Sequence, residues 1–362
     1  MGCFLWKYDN DSGIIIDEMI CGRRDKMARS RRADAVVFGF DFQVNSAIVL
    51  FLENIKEVEK LRLEGNYEDI ELELSSGEMV LAQAKAVEKA SADFTNVRKN
   101  MKKALMSLAE GGEKVNAREL IMITNSPNPF NDDDSRSVFY GHAHRKYETL
   151  PPSAKKIVDD YLSKMDKKLD TDKLKIQVLP FETDDETERY KVIMECINDF
   201  VGGLNTKLPG IGQKLLETWH WQVFDNGGKK DATIKLSKKD IIWPILVKIT
   251  EIEQCEDSFL EQFDSGVYEE VVNRYAEIIN SHCEKCEFFI KILSDYNGFK
   301  TTKKESEKAN EFIELRWKDY VSEFNVEGID EEIQEAITKI IIYNTIKRRF
   351  AIDRIKREVN LC

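Results

Sequence analysis

The sequence predicts an α/β domain over residues 1–225, a mixed central sheet flanked by helices, followed by an all-α domain over residues 226–362. Two observations carry this. Between residues 40 and 124 the apolar period changes from three-and-four to two and back again, the mark of helices enclosing strands. Past the polar Gly-rich stretch Asp225-Asn226-Gly227-Gly228-Lys229-Lys230, after a short Thr233–Leu236 segment, apolar residues recur only at helical spacing.

The elements follow in order. The first 35 residues have no regular pattern, but carry a basic run of Arg23, Arg24, Lys26, Arg29, Arg31 and Arg32. Val44, Ala47, Ile48, Phe51, Leu52, Ile55 and Val58 then predict an amphipathic helix from about residue 40 to 60. Leu61–Glu64 reads as a short strand and Gly65-Asn66 as a turn. Glu68–Leu74 alternates strictly, Ser75-Ser76-Gly77-Glu78 turns, and Met79–Lys85 returns as a second strand. A helix over about 92–110 has Phe94, Val97, Met101, Leu105 and Leu108 inside, and Arg98, Lys99, Lys102 and Lys103 outside. Glu119–Thr124 reads as a buried strand, which completes the order α-β-β-β-α-β. A helix at 153–168, a strand at 174–180 and helices at 186–204 and 212–224 follow. Beyond the boundary, helical segments lie near 240–254, 267–296, 303–325 and 330–358.

Composition narrows the function classes. With 42% hydrophobic residues the chain can pack a globular core, so wholesale disorder is excluded. No unbroken apolar run approaches the ~20 residues that span a bilayer, and the N-terminus lacks a signal-peptide core. The expectation is a soluble, cytoplasmic protein with no membrane partner. Seven scattered cysteines suit a reducing compartment. Cys283 and Cys286, one helical turn apart after His282, have no second pair to complete a zinc site and read as small buried hydrophobes. The net charge of −12, from 54 Lys+Arg against 66 Asp+Glu, is a sum over unlike parts. Basic clusters at 23–32 and 98–103 flank a carboxylate-rich hairpin, so the total leaves a nucleic-acid partner open.

That hairpin is the informative feature. Asp69, Glu71 and Glu73 share one face of its first strand, and Met79, Leu81, Gln83 and Lys85 one face of its second. A three-residue loop of Ser76-Gly77-Glu78 sets Asp69 opposite Lys85 and Glu71 opposite Gln83. A two-residue loop would place Asp69 opposite Ala84 and scatter the group. By itself this is an ordinary cross-strand ion pair, worth little at a surface. Its mid-sheet position, Gln43 on the inner stripe of the preceding helix, and the basic helix that follows together favour a site.

Gly39-Phe40-Asp41-Phe42-Gln43, then Asp69, then Gln83-Ala84-Lys85 before a basic helix, and the strand ending Ile121-Met122-Ile123-Thr124-Asn125, resemble the PD-(D/E)xK restriction-endonuclease-like fold. The nearest likeness is the effector nuclease domain that CBASS nucleases (CD-NTase-associated proteins) share with the Lamassu nuclease subunit. The resemblance covers about residues 35–205. It implies a metal-dependent endodeoxyribonuclease of bacterial anti-phage defence, with Asp69, Gln83, Lys85 and Glu71 catalytic. Asp69, Gln83 and Gln43 would hold Mg2+ or Mn2+. Glu64 and Glu68 are alternatives of uncertain facing. Gln83 stands where the usual pattern has Asp or Glu, a weaker ligand for a hard cation. An alternative is therefore a non-catalytic DNA-binding or scaffolding subunit. Arg23, Arg24, Arg31, Arg32, Arg98, Lys99, Lys102 and Lys103 would contact double-stranded DNA. The remaining C-terminal helices suit oligomerisation or docking. Their length and all-helical pattern favour the Lamassu subunit, which is governed by an SMC-like complex, over CBASS relatives with a cyclic-nucleotide sensor domain.

Three smaller features complete the reading. Leu208–Leu216 looks like a helix-hairpin-helix loop or a plain Pro-Gly helix start, and Gly202-Gly203 argues against a regular helix just before it. His142 and His144 have no spaced metal partner in the sequence and read as a surface loop pair. Trp219 and Trp221 suit core or interface rather than base stacking.

Overall fold

The computed structural model describes residues 33–361 except 89, 91–93, 183, 207, 209, 252–258, 283–286 and 325–329. Arg23, Arg24, Arg31 and Arg32, and the Cys283/Cys286 pair, lie outside the described residues.

The order α-β-β-β-α-β holds. The first part comprises α1 (Ala33–Glu53), β1 (Val58–Leu63), β2 (Ile70–Leu74), β3 (Met79–Lys85), α2 (Val97–Gly112) and β4 (Ala117–Thr124). There follow α3 (Asp133–Arg136), β5 (Ala143–Lys146), α4 (Pro152–Leu162), β6 (Leu174–Val178), α5 (Glu186–Gly203), α6 (Ile211–Gly228) and β7 (Leu236–Ser237). Among the described residues beyond β7 the elements are helical: α7 (Lys238–Thr250), α8 (Ser265–His282), α9 (Glu287–Gly298), α10 (Glu305–Arg316), α11 (Glu331–Lys347) and α12 (Arg349–Glu358). Among the described residues the strands form one mixed seven-stranded sheet in the order β5-β6-β4-β3-β2-β1-β7. β1, β2 and β3 are an antiparallel meander, β4 and β6 run parallel to β3, and β5 and β7 are antiparallel edges.

Alternation along β3 and β4 sorts side chains between two layers. Val80, Ala82, Ala84, Ile121 and Ile123 face the core that holds α1, α5 and α6. Leu81, Leu120, Met122 and Ile176 face the core under α2 and α4. Both faces being covered explains why these strands read as apolar runs. In α1, Phe42, Leu50 and Phe51 are fully buried, each worth ~1.5–3 kcal/mol. Phe38 and Phe42 meet Phe181, and Phe40 meets Phe224 of α6 edge-on. By length and composition α1 could also cross a membrane, yet most of it lies inside the fold. Asp41, Gln43 and Asn45 interrupt it, which hides it from a search for unbroken apolar runs.

Several bounds differ from expectation. α1 begins seven residues before the predicted start at 40 and ends at Glu53 rather than near 60. Ile55 and Val58 stay in the core, but as the turn and first strand residue. α5 continues through Gly202 and Gly203, because a glycine pair weakens a helix end without stopping it. Gly210 at φ +70° then starts α6, and Gly212 lets α6 lie close against Asn198 of α5.

The join at 225–237 is held firmly. Buried Arg62 on β1 donates to the carbonyls of Asn226 (2.6 Å), Lys229 (2.7 Å) and Ile234 (3.2 Å). Ser237 and Asp240 cap α7 reciprocally. Lys238, almost fully buried, donates to the carbonyls of Lys56 and Asn360 and pairs with Glu59. The core is continuous from α1 to α11, whose Ile337, Ile340, Ile341 and Ile342 are buried, as befits a central helix apolar on most sides.

Candidate active site

The β2–β3 loop decides where the charged residues sit. It does have three residues, but they are Ser75-Ser76-Gly77, with Leu74 N donating to the Glu78 carbonyl at 2.9 Å. Gly77, at φ +81°, closes it as the left-handed residue, so Glu78 stands opposite Leu74 instead of belonging to the loop. Glu71 therefore pairs with Leu81 and Ile70 with Ala82, not Glu71 with Gln83. The same register aligns Asp69 with Gln83 rather than Lys85. The shift is two residues, so every side chain keeps its face and the group survives.

Asp69 lies at the end of the β1–β2 turn, just before β2. Its Oδ2 accepts from Gln83 Nε2, from the Ala84 backbone N–H (3.1 Å) and from Lys85 Nζ (3.5 Å). The side chains of Asp69 and Lys85 are 17% and 25% exposed, so the pair is shielded yet reachable. Thr124 at the end of β4 donates to the Lys85 carbonyl at 2.7 Å. Asn125 brackets the backbone after β3, accepting from Val87 N–H and donating to the Val87 and Phe181 carbonyls. Strand pairing and these side-chain braces position Lys85 without help from its own charge.

Glu71 has a different task. Almost fully buried, it accepts from the backbone N–H groups of Tyr67 (2.5 Å) and Glu68 (3.2 Å). The turn wraps this carboxylate so closely that a Cβ at Gly65 would collide with it. Glu64 ends β1 in the left-handed region at φ +52°, and its N–H donates to the Asp69 carbonyl at 2.7 Å. Burial and the charge of Asp69 raise the Glu64 carboxyl, while a hydrogen bond with Gln43 and the nearby Lys85 and Arg62 lower it. Glu64, ranked below Glu71 from the sequence, is thus the carboxylate beside Asp69, and Gln43 reaches the site through it. The positive φ at Glu64 is what re-aims it, and nothing in residues 61–66 announces that.

Behind the group, Glu68 is buried against α2. Its Oε2 accepts from Ser107 Oγ at 3.1 Å and its Oε1 has no partner. Burial pushes this carboxyl up to about 8. The structure therefore gathers Gln43, Glu64, Glu68, Asp69, Gln83 and Lys85 at one end of the hairpin, with Glu71 beneath as the brace of the turn. The donors are mostly oxygens beside one ammonium, which suits a hard divalent cation and an anionic substrate.

No family model, curated protein or solved structure matches this chain. The site stands on its own geometry.

Other sequence-derived residues fall elsewhere. Asp41 accepts from His220 Nε2 (2.8 Å), Tyr190 Oη (3.1 Å) and Asn45 Nδ2 (2.9 Å), which ties α1 to α5 and α6. Arg98 donates to the carbonyls of Phe130 (2.6 Å) and Asn131 (3.2 Å), so it anchors a loop. Lys99, Lys102 and Lys103 are exposed along α2. Trp219 is buried and donates to the Ile241 carbonyl, whereas Trp221 is 66% exposed and stacks on Phe224. His142 and His144 do not form a loop surface pair: they border and enter β5, with Glu53 against both.

Proposed function

We propose that this chain is a metal-dependent endodeoxyribonuclease with a restriction-endonuclease-like core, the effector of an anti-phage defence system, active in the cytoplasm once assembled. The observation that carries the reading is the Asp69 carboxylate shared by Gln83, the Ala84 amide and Lys85, with Glu64 beside it. An antiparallel meander followed by a parallel strand supports it further.

Asp69, Glu64 and Gln83 would hold Mg2+ or Mn2+, which when bound polarises a scissile phosphate and lowers the pKa of a coordinated water. Gln83 now offers its N–H to Asp69, so its amide must turn over to present oxygen. Lys85 puts a positive charge where a phosphate oxygen gains negative charge, and its ammonium can orient a water by donation. Gln43 holds Glu64 in place. Exposed Lys99, Lys102 and Lys103 would meet the phosphates of double-stranded DNA. Because an acidic single chain holds DNA weakly, homo-oligomerisation or docking to SMC-like or other defence subunits would join several such patches.

The test is plasmid cleavage by purified protein with Mg2+ or Mn2+, with and without its operon partners. Cleavage lost in Lys85→Ala and Asp69→Asn supports the reading; no cleavage in any assembly state, or undiminished cleavage by Lys85→Ala, sinks it. The Gln83 N–H donated to Asp69 favours one second reading, a non-catalytic DNA-binding or scaffolding subunit. That reading predicts metal-independent DNA binding and unimpaired defence by Asp69→Ala in cells.

A further inference from the structure

The opposite face of the sheet carries a second cluster of different chemistry. His142 immediately precedes edge strand β5, and His144 lies within it, two residues on and therefore on the same face. His144 pairs with Gln177 of β6, and Gln177 with Ile123 of β4. Paired residues share a face, and Ile123 belongs to the α1 layer, so the histidines and Gln177 point toward α1. Glu53, the last residue of α1, meets them there. Its Oε1 lies 3.5 Å from His142 Nε2 and 3.3 Å from His144 Nε2, and the two ring centroids are 4.5 Å apart.

These separations have a definite meaning. Four ligands held at ~2.0–2.1 Å around a tetrahedral ion sit about 3.4 Å from one another. Glu53 thus stands from each imidazole nitrogen at the edge length of such a tetrahedron, and all three ligand atoms lie within 4.8 Å of one another.

Gln177 supplies an independent observation. It is fully buried, and its Nε2 lies 3.2 and 3.4 Å from the Glu53 oxygens and 3.3 Å from His142 Nε2. Its Oε1 has no partner. Half a turn of the amide puts the oxygen where the nitrogen now stands, again at tetrahedral edge distances from Glu53 and His142. On the far side of the His142 ring, Nδ1 lies 3.8 Å from Cys196 Sγ of α5. An imidazole that ligates through Nε2 keeps its proton on Nδ1, and the sulfur is placed to receive it.

We propose that Glu53, His142 and His144, completed by the Gln177 amide oxygen, form a site for a borderline transition-metal ion, Zn2+ in the first place, separate from the Asp69 site. Two imidazoles and a carboxylate suit Zn2+ rather than Mg2+, which takes oxygen ligands and keeps its waters. The ion joins the end of α1 to β5 and β6 and so fastens a four-residue edge strand to the sheet. It needs no part in phosphodiester chemistry, so it stands or falls independently of the proposed nuclease.

The experiment is a Co2+ titration of the full chain after chelation, read by visible absorption. One equivalent per chain with the intense bands of tetrahedral cobalt is expected, and Zn2+ should displace it. His144→Gln should abolish those bands, Gln177→Leu should weaken the binding they report about 10–100-fold, and Asp69→Ala should leave the tetrahedral bands unchanged. Near-UV circular dichroism verifies that each variant is folded. Bands that persist in folded His144→Gln, or fail to appear in the wild-type chain, overturn the site. If His144→Gln does not fold, unchanged binding by Gln177→Leu and by Cys196→Ala overturns it instead.

Discussion

The two faces of one sheet hold polar clusters built in opposite ways. On the α2 face, Asp69, Gln83 and Lys85 come from a single hairpin within 17 residues, and their donors are mainly oxygens. On the α1 face, Glu53, His142, His144 and Gln177 come from a helix and two strands spread over 125 residues, and two donors are imidazoles. Local construction makes the first cluster depend on register, and distributed construction makes the second depend on packing. Ligand chemistry also separates them: the first suits Mg2+ or Mn2+, the second Zn2+.

The largest effect that could break this contrast is on cleavage. Asp69→Asn or Lys85→Ala should lower DNA cleavage by about 10³-fold, ~4 kcal/mol in the barrier, while His144→Gln lowers it far less. Equal losses in both would merge the two clusters into one machine. Next, Gly65→Ala should cost ~2–3 kcal/mol in denaturant unfolding, since a methyl group there meets the buried Glu71 carboxylate. A neutral result would mean the turn is looser than drawn, and the α2-face cluster less exact.

Glu68 gives a pH test of the same layer. Its carboxyl, raised to about 8 when folded, keeps a proton that the unfolded chain has lost above its ordinary 4.5. The unfolded chain then binds fewer protons, so this group subtracts stability as pH rises from about 4.5 to 8. In metal-free buffer, Glu68→Gln should therefore gain ~1–3 kcal/mol over wild type at pH 8, and much less at pH 5. A gain that is equal at both pH values would place the charge of Glu68 elsewhere. The smallest effect separates Arg98 from its neighbours. Arg98→Ala should cost ~1–2 kcal/mol of stability by freeing the 130–131 loop. Lys102→Ala with Lys103→Ala should leave stability within ~0.5 kcal/mol but flatten the salt dependence of DNA binding.

How far the sequence could be read follows the same contrast. Period changes placed α1, the β2–β3 hairpin, α2 and β4, because each buries a face set by its own residues. The group at Asp69 was legible because parity along a strand survives a two-residue register shift. The register itself was not, since only the left-handed Gly77 decides which residue ends the loop. Glu71 and Glu64 exchanged parts for the same kind of reason: backbone amides captured one carboxylate, and the other, on a residue at positive φ, stands beside Asp69 and Gln43. Glu53 could not be matched to His142 from spacing, as 89 residues separate them and only the sheet order brings them together.

Arg62 has one more consequence. It grips the end of α6 and the stretch after it through the carbonyls of residues 226, 229 and 234, and through no side chain. Every residue type carries that carbonyl, so this joint tolerates changes of identity far better than changes of length. A single insertion or deletion between 226 and 234 would slide the carbonyls off a buried guanidinium and leave its charge unanswered. Among diverging copies of this chain, residues 228–230 should therefore vary more freely in letter than in number, while 227 stays glycine because a Cβ there would meet Leu63 and Phe40.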